Sequence, residues 1–366
     1  MQIKLLHVLF AGASAATLIP QGGARFNDAC LPRLPSRIVA RLGHQPSFLE
    51  NLAFRDNGDL LVTQNHPKPQ IYTIKQPWLK NARLTLLHEF QDTDGAAGVV
   101  QVAPDHFVVA AAKWNGFNPV PASATLQFIR LAKNGSVAET GFVGRYPELG
   151  LFNGLARLGD YQNSILAADS ALGVIHKFSP LTGDHHVVVD VPELKATDPS
   201  APVPIGVNGI KLHDSHLYWT NSNTASIFRL AITEDGLPAK SAKVELVSCV
   251  PDGLAIDDFA IDVRGNIWVA AVINNEGVVV RPDGSTVSAV GSAGEMTVAS
   301  GTALAFGNTA ADSHILYATT AGGLPAPVNG TVIEPGKVVA IDATAFLCLV
   351  CDVGRLAIGP LPRLDL

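Results

Sequence analysis

The sequence is poor in charged residues. Asp, Glu, Lys and Arg make up 16% of its 366 residues, against a usual share of about 25%. The formal net charge is −6, and the cations form no basic run. Nucleic-acid binding needs a basic surface that neutralises phosphates, so the composition argues against a nucleic-acid partner.

Long apolar runs are also missing. No stretch reaches the roughly 20 apolar residues that a membrane-spanning helix needs, so we expect no membrane partner. The N-terminus combines Lys4, an apolar stretch up to Ala16 and small residues at Ala13 to Ala15, a pattern typical of a cleaved signal peptide. We therefore expect residues 1–16 to be a signal peptide, and the protein to be secreted or to lie in the secretory-pathway lumen.

Cysteine is scarce, and the four residues are Cys30, Cys249, Cys348 and Cys351. Disulfides suit an oxidising compartment, but four cysteines allow three complete pairings and the sequence does not choose among them. Cys30 precedes the first repeat, whereas Cys348 and Cys351 follow the last, so we favour a bridge between the two ends. The alternative is that some or all of them are reduced and buried. Two glycosylation sequons, expected in exposed turns, begin at Asn134 and Asn329.

Apolar strand-like runs, glycine and proline are abundant instead, and they form a repeat. Each unit has a small polar opening, a short apolar run, a turn and a second apolar run that ends in polar residues. Clear copies begin at Glu50-Asn-Leu-Ala-Phe and Asn208-Gly-Ile-Lys-Leu, and the openings lie at positions 50, 98, 153, 208, 257 and 301. Units of about 40–50 residues, each with three or four strands, are typical of propeller blades.

The repeat predicts an all-β fold, a six-bladed β-propeller with four-stranded antiparallel blades, in one domain over residues 37–350. The segment Arg37-Ile-Val-Ala-Arg-Leu precedes the first opening. We expect it to complete the last blade as its outer strand, so that N- and C-terminal strands close the ring.

Strands alternate in direction within a blade, so the openings and the ends of the second strands should meet at one mouth of the channel. The polar openings are Glu50, Asn153, Asn208 and Asp257. Two carboxylates and two amides suit Ca²⁺ or another divalent metal, which takes six to eight oxygen ligands. The alternative is that these residues only begin strands and bond to the local backbone.

The rim of this mouth should carry the ends of the second strands. Trp114 lies in an Asn-, Gly- and Pro-rich segment that we expect to form an irregular loop over the mouth. The predicted substrate-binding residues are His66, Trp114, Asn115, Asn153, Asp169 and Asn221. Ser170 lacks the Gly-x-Ser-x-Gly context of a hydrolase nucleophile.

Three segments carry a family resemblance. Asn208-Gly-Ile, Asp257-Asp-Phe-Ala-Ile-Asp and Asn266-Ile-Trp-Val-Ala resemble the SMP-30/gluconolactonase superfamily. The resemblance implies a central divalent metal held by a Glu, two Asn and an Asp, with the carboxylates assisting lactone hydrolysis. Those roles fall on the four polar openings, Glu50, Asn153, Asn208 and Asp257.

A closer likeness is to a secreted fungal branch of that superfamily. It lies in Glu50-Asn-Leu-Ala-Phe, Ala168-Asp-Ser-Ala-Leu-Gly-Val and Gly206-Val-Asn-Gly-Ile. Some members of that branch resemble hetero-Diels–Alderases, which join tropolone-type o-quinone methides to sesquiterpenes such as humulene. The likeness implies a hydrophobic small-molecule substrate and a role in secondary metabolism.

Three functions follow as hypotheses. The one we favour is a cyclase that holds two apolar partners in a reactive orientation and hydrogen-bonds the heterodiene carbonyl, with no cofactor required. The second is a divalent-metal-dependent lactonase, and the third is a non-catalytic binding propeller. The oligomeric state stays open. The candidate catalytic residues are Glu50, Asp257, Asn208 and Lys113.

Overall fold

The computed structural model describes residues 33–116, 118–159, 164–250 and 255–348. In this part of the chain, 24 strands form six four-stranded antiparallel sheets, and two further short strands pair with each other. The predicted six-bladed β-propeller is therefore confirmed. The predicted signal peptide, Cys30 and Cys351 lie outside the described residues.

The strands follow the repeat in chain order. The chain begins with β1 (Ser36–Arg41), which belongs to the last blade. Blade 1 contains β2 (Phe48–Phe54), β3 (Leu60–His66), β4 (Gln70–Ile74) and β5 (Leu84–Glu89). Blade 2 contains β6 (Gly95–Ala103), β7 (His106–Ala112), β10 (Thr125–Leu131) and β11 (Val137–Arg145), and its loop carries the short pair β8 (Trp114–Asn115) and β9 (Asn118–Pro119). Blade 3 contains β12 (Phe152–Arg157), β13 (Ile165–Asp169), β14 (Val174–Phe178) and β15 (His185–Val189).

The second half continues in the same way. A 3₁₀ turn at Pro192–Leu194 precedes blade 4, which contains β16 (Val207–His213), β17 (His216–Asn221), β18 (Ser226–Ala231) and β19 (Glu245–Cys249). Blade 5 contains β20 (Phe259–Ile261), β21 (Ile267–Ala271), β22 (Glu276–Val280) and β23 (Thr286–Gly291). Blade 6 contains β24 (Gly301–Phe306), β25 (Ile315–Thr320), β26 (Lys337–Asp342) and β1, and a short helix α1 (Thr344–Cys348) follows. No described helix has the length and apolarity needed to cross a membrane.

The ring closes as the sequence predicts. Strand β1 pairs antiparallel with β26, with Ser36 opposite Ile341 and Arg37 opposite Ala340. The first strand of the propeller is thereby the outer strand of its last blade. This pairing joins the two ends of the propeller by backbone hydrogen bonds, in the way the predicted disulfide was expected to do.

The core lies between blades. Trp219 and Trp268 are almost fully buried, and Trp268 packs edge-on against Phe306 at 5.7 Å and Phe346 at 5.0 Å. Each sheet is covered on both faces by its neighbours. Most inner strands therefore have continuous apolar sequences and no alternation of apolar and polar residues.

The inner strands share one irregularity. In five blades the ladder between the first two strands skips two consecutive residues of the inner strand, which is a β-bulge. The skipped pairs are Glu50–Asn51, Ala97–Gly98, Asn153–Gly154, Asn208–Gly209 and Thr302–Ala303. In blade 5, Asp257 and Asp258 come just before β20 and bond the backbone of Ala270.

We call the first residue of each pair the axial residue. The axial residues form one level of the channel, and the residues that follow them form the next level. The sequence comparison aligned Gly98 with Glu50, and this is wrong by one residue. The ladder places Ala97 at the level of Glu50 and Gly98 one residue further on, because both belong to the bulge.

Threonines stabilise three of the bulges. The hydroxyls of Thr63, Thr220 and Thr319 accept hydrogen bonds from backbone N–H groups of their bulges, at 3.0, 3.0 and 3.1 Å respectively. The ladder leaves these N–H groups without a carbonyl partner, and a buried unpaired N–H is costly. These hydrogen bonds therefore hold the backbone of the bulge, and with it the position of the axial residue, in the three blades.

Candidate functional site

Two carboxyl groups lie at the axial level of the channel. Glu50 and Asp257 are both buried, and Oε2 of Glu50 has no hydrogen-bond partner. Burial raises the pKa of Glu50 well above its ordinary value, and the charges of Asp257 and Asp258 raise it further. Burial is also the main cause that raises the pKa of Asp257 to about 8, with the charge of Asp258 adding to it. Asp257 therefore retains near neutral pH a proton that a carboxyl group in water loses, and the pKa of Glu50 is shifted in the same direction.

Asn208 joins this pair. Its Nδ2 donates to Oγ of Ser222 at 2.9 Å, and Ser222 in turn donates to the carbonyl of Ile256 at 2.6 Å. Asn208 also hydrogen-bonds Asp257, which opposes the rise in its pKa. With the amide nitrogen engaged, Oδ1 of Asn208 is left buried and unpartnered. Asn153 is buried at the same level of the channel.

The next level carries a polar contact between two blades that are not neighbours. Nδ2 of Asn51 donates to Oδ2 of Asp258 at 3.0 Å. Blade 6 lies between blades 1 and 5, so this bond passes in front of the inner strand of blade 6. Nζ of Lys211 donates to the other carboxylate oxygen of Asp258 at 2.5 Å. Asp258 therefore accepts hydrogen bonds from one ammonium and one side-chain amide.

Glycines occupy this level in blades 2, 3 and 4, as Gly98, Gly154 and Gly209, and blade 6 has Ala303 there. A β-carbon on Gly98 would lie 2.0 Å from the carbonyl oxygen of Asn153, and one on Gly209 would lie 2.2 Å from Oδ1 of Asp258. The inner strands thus approach as closely as the backbone allows. The channel is narrow beneath the axial residues.

Trp114 lies at the mouth. The start of β6 runs against its indole ring, since a β-carbon on Gly95 would meet Nε1 of Trp114 at 2.6 Å. The carbonyl of Asn65, at the end of the second strand of blade 1, borders the same point. The indole N–H is buried against the start of β6 and has no hydrogen-bond partner.

The other predicted rim residues separate into two groups. His66, Lys113 and Asn115 are exposed. Lys113 borders a cleft of about 460 Å³ beside the mouth, together with Asp92, Arg145 and the loop 120–125. Lys113 is therefore placed beside the cleft and not with the axial carboxyl pair.

Asp169 and Asn221 are buried and engaged by the backbone. The carboxylate of Asp169 accepts four N–H bonds, from Gly150, Leu151, Ala171 and Leu172. The amide of Asn221 donates to the carbonyls of Glu193 and Lys195. Both side chains hold loops in place, and substrate contact by either of them stays a prediction that their geometry does not support.

Cysteine and sequon predictions stay open. Cys249 is exposed, forms no disulfide, and lies 3.5 Å from Oγ of Ser226. The favoured end-to-end bridge falls on residues whose side chains are outside the described part of the chain. Asn134 and Asn329 are both exposed in turns, where a glycan could attach.

The axial ring was also predicted to hold a divalent metal. Among the residues that the structure describes, no three His, Cys, Asp or Glu side chains converge on a point that could hold one. Two of the ring's oxygens, on Glu50 and Asn208, are fully buried and lack a hydrogen-bond partner, whereas Ca²⁺ takes six to eight ligands. Metal binding here stays a prediction.

Sequence reasoning missed Asn51, Asp258, Lys211 and Ser222. Asn51 and Asp258 directly follow predicted axial residues, and this adjacency was an available signal. Lys211 had a weaker one, since it is a lysine between two apolar residues, Ile210 and Leu212, of an inner strand. Nothing in the sequence marked Ser222.

Comparison with known proteins confirms the predicted resemblance. Residues 205–322 match the model of the SMP-30/Gluconolactonase/LRE-like region family. This match covers β16 to β25 and includes Asn208, Lys211, Asp257 and Asp258.

Two curated relatives and one solved structure extend the likeness over the propeller. The chain is 27% identical over 351 residues to a candidate hetero-Diels-Alderase of Sarocladium schorii, covering 87% of this chain and 86% of the relative. It is 28% identical over 311 residues to a candidate hetero-Diels-Alderase of a Phoma species, covering 78% and 86%. The solved luciferin-regenerating enzyme superposes with a TM-score of 0.58 at 11% identity, covering 84% of this chain and 95% of that one, which shows the fold alone.

Proposed function

We propose that this protein is a hetero-Diels–Alder cyclase that acts at the mouth of the propeller. The substrates we infer are an o-quinone methide of a tropolone-type polyketide and a sesquiterpene such as humulene. The observation that carries the proposal is the buried axial carboxyl group of Glu50, which lies beside Asp257 and has an unpartnered oxygen. The two relatives named as candidate hetero-Diels-Alderases support the same chemistry.

A neutral carboxylic acid suits this reaction. The heterodiene is an α,β-unsaturated carbonyl, and a hydrogen bond to its oxygen withdraws electron density and lowers the barrier to addition of the electron-rich alkene. A carboxyl group that burial keeps protonated can donate that bond, as other enzymes do with acids in apolar sites. No nucleophile or base is needed, because both new bonds form from the π electrons of the two partners.

Orientation supplies the rest of the rate. Holding two reactants in a near-attack arrangement is worth several kcal/mol, about 7–11 in favourable cases. The half-buried indole of Trp114 gives an apolar face at the mouth. The narrow level beneath the axial residues would keep the partners at the mouth and out of the channel.

The decisive test is stereochemical. The purified protein is incubated with humulene and an o-quinone methide released in solution, and the cycloadduct is analysed by chiral chromatography and mass spectrometry. The uncatalysed cycloaddition gives a racemate, so we expect an enantiomerically enriched adduct that forms faster with protein. A racemic adduct at the uncatalysed rate would contradict the proposal.

A metal-dependent lactonase is the second candidate. Residues 205–322 match a family that includes gluconolactonases, and this match favours it. Such an enzyme uses ionised carboxylates, whereas burial raises the pKa of Glu50 and Asp257. Turnover of a panel of aldonolactones with no cycloadduct formed would favour the lactonase over the cyclase.

A further inference from the structure

One inner-strand position carries a cation where the other blades carry apolar side chains. Lys211 follows the axial residue Asn208 by three positions. The equivalent residues of the other blades are Ala53, Val100, Ala156, Ala260 and Ala305. These side chains join the apolar clusters between neighbouring blades. A lysine at this position is an exception that packing does not explain.

The ammonium of Lys211 is directed at the acidic level of the channel. Nζ is 2.5 Å from Oδ1 of Asp258 and 5.3 Å from the centre of the Phe259 ring. An ammonium over an aromatic face gains a further attraction from the ring. The lysine side chain is 30% exposed and the Asp258 side chain only 5%. The carboxylate of the pair is therefore shielded from water more than the ammonium.

The acidic side has few other sources of positive charge. The other hydrogen bonds to the Asp258 carboxylate come from neutral groups, the amide of Asn51 and the backbone N–H of Phe259. Asp257 and Glu50 lie close enough for their charges to act on each other. Three carboxyl groups in one narrow channel repel one another unless a cation or protons compensate them. Of the ion pairs in the described residues, that of Lys211 with Asp258 is the one at these three carboxyl groups.

We propose that the ammonium of Lys211 is the resident cation of the propeller channel, and that it does the electrostatic work a divalent metal would otherwise do there. An ammonium hydrogen-bonded to Asp258 leaves the acidic level compensated. It would also repel a divalent ion that approached the axial oxygens. The acidic ring therefore folds and stays closed without a metal. This proposal concerns the ion requirement of the fold and holds whether or not the protein is a cyclase.

The test measures thermal unfolding of the full chain. The wild-type protein and the variant Lys211→Met are unfolded in EDTA and in millimolar CaCl₂ or MnCl₂. We expect the wild-type Tm to be the same in all three buffers. Breaking a buried pair by removing one partner is strongly destabilising, so we expect the Tm of Lys211→Met to fall by roughly 3–10 °C.

Two further variants make the result specific. The double variant Lys211→Met/Asp258→Asn removes the anion as well, so part of the lost Tm should return. Lys177→Met is the matched control, because its ammonium is 3.7 Å from the exposed carboxylate of Asp235, and we expect no more than a small change. If Lys211→Met does not fold, the proposal is tested by the wild-type Tm in the three buffers and by the Tm of the double variant.

Three results would overturn the proposal. The first is a wild-type Tm that rises with Ca²⁺ or Mn²⁺, or falls in EDTA. The second is a stoichiometric divalent metal found in the purified protein by mass spectrometry. The third is a Lys211→Met variant as stable as the wild type.

Discussion

The side-chain amide of Asn51 donates a hydrogen bond to the carboxylate of Asp258 at 3.0 Å, although 207 positions separate the two residues in the chain. The bond connects blades 1 and 5, whose strands belong to separate sheets. It joins the two blades at the level next to the axial carboxyl groups of Glu50 and Asp257.

Replacing the axial glutamate tests the acid as a hydrogen-bond donor. We expect Glu50→Ala to slow cycloadduct formation on the order of 10²-fold, the usual effect of removing one preorganised donor. Glu50→Gln keeps an N–H donor and should retain more of the rate. Rates and enantiomeric excess are measured together. If Glu50→Ala were fully active with unchanged enantiomeric excess, Glu50 would have no part in the reaction.

The rate should also depend on pH through the second carboxyl group. Burial raises the pKa of Asp257 to about 8, so the neutral acid predominates below that pH and the anion above it. We expect turnover to fall as the pH rises through about 8. Asp257→Asn cannot ionise and should keep its own rate to higher pH. The pH–rate profiles of both proteins check this, and identical profiles would contradict it.

The close approach of the inner strands predicts a strong effect at one glycine. In Gly98→Ala the new methyl group would lie 2.0 Å from the carbonyl oxygen of Asn153, so the strands must separate. We expect a loss of about 2 kcal/mol or more in the free energy of unfolding, measured by denaturant titration. Gly43→Ala is the control, because no atom lies within 4 Å of its β-carbon. Equal stability of both variants would show that the strands can relax.

The hydroxyl groups of the bulge threonines should contribute to the stability of the fold. Thr319→Val is nearly isosteric but leaves the N–H of Ala303 without its 3.1 Å partner. A buried unsatisfied donor costs about 1–3 kcal/mol, and we expect that loss in the free energy of unfolding. Thr319→Ser keeps the hydroxyl and should recover part of it. Thr85→Val, at an exposed position of β5, should change little.

Acid should destabilise blade 3 through one buried histidine. Both ring nitrogens of His176 lack hydrogen-bond partners. Burial lowers its pKa, the carboxylate of Asp169 3.9 Å away opposes this, and His185, Glu148 and His186 act more weakly. Because the folded-state pKa lies below the unfolded value of about 6.5, the unfolded chain binds the proton first. Stability is therefore complete above about pH 6.5 and is lost as the pH falls toward the folded-state pKa.

The measurement compares His176→Leu with the wild type in denaturant titrations at neutral pH and at about pH 5. The variant cannot take up this proton, so its stability should fall less on acidification. His44→Leu, in an exposed loop, serves as control and should follow the wild type. An unchanged pH dependence in His176→Leu would assign the acid sensitivity to other groups.

Much of this architecture was predictable from the sequence. Apolar runs and turns repeat at near-constant spacing, and this local pattern determined six blades, the closure of the ring by residues 37–42 and the axial positions of Glu50, Asn153, Asn208 and Asp257. Each blade needs the same number of strands to bury its faces. The number of residues per blade therefore appears in the sequence as a repeat period.

The error at Gly98 has a local cause. A bulge inserts one extra residue into the ladder, and its register depends on which backbone groups pair. Alignment of openings by residue type chose the small glycine, whereas the ladder shows that Ala97 is the axial residue. Asp169 and Asn221 were predicted to bind substrate at the rim, and their loop N–H and carbonyl partners could not be inferred from the sequence.

The sequence by itself determined the number of blades and the repeated positions of Glu50, Asn153, Asn208 and Asp257. Only the tertiary structure decided which charges meet there. Asn51, Lys211 and Asp258 come from three different blades, and their hydrogen bonds exist because ring closure brings the inner strands together. Repeats encode each blade through contacts along the chain, whereas the chemistry of the channel depends on contacts between distant blades.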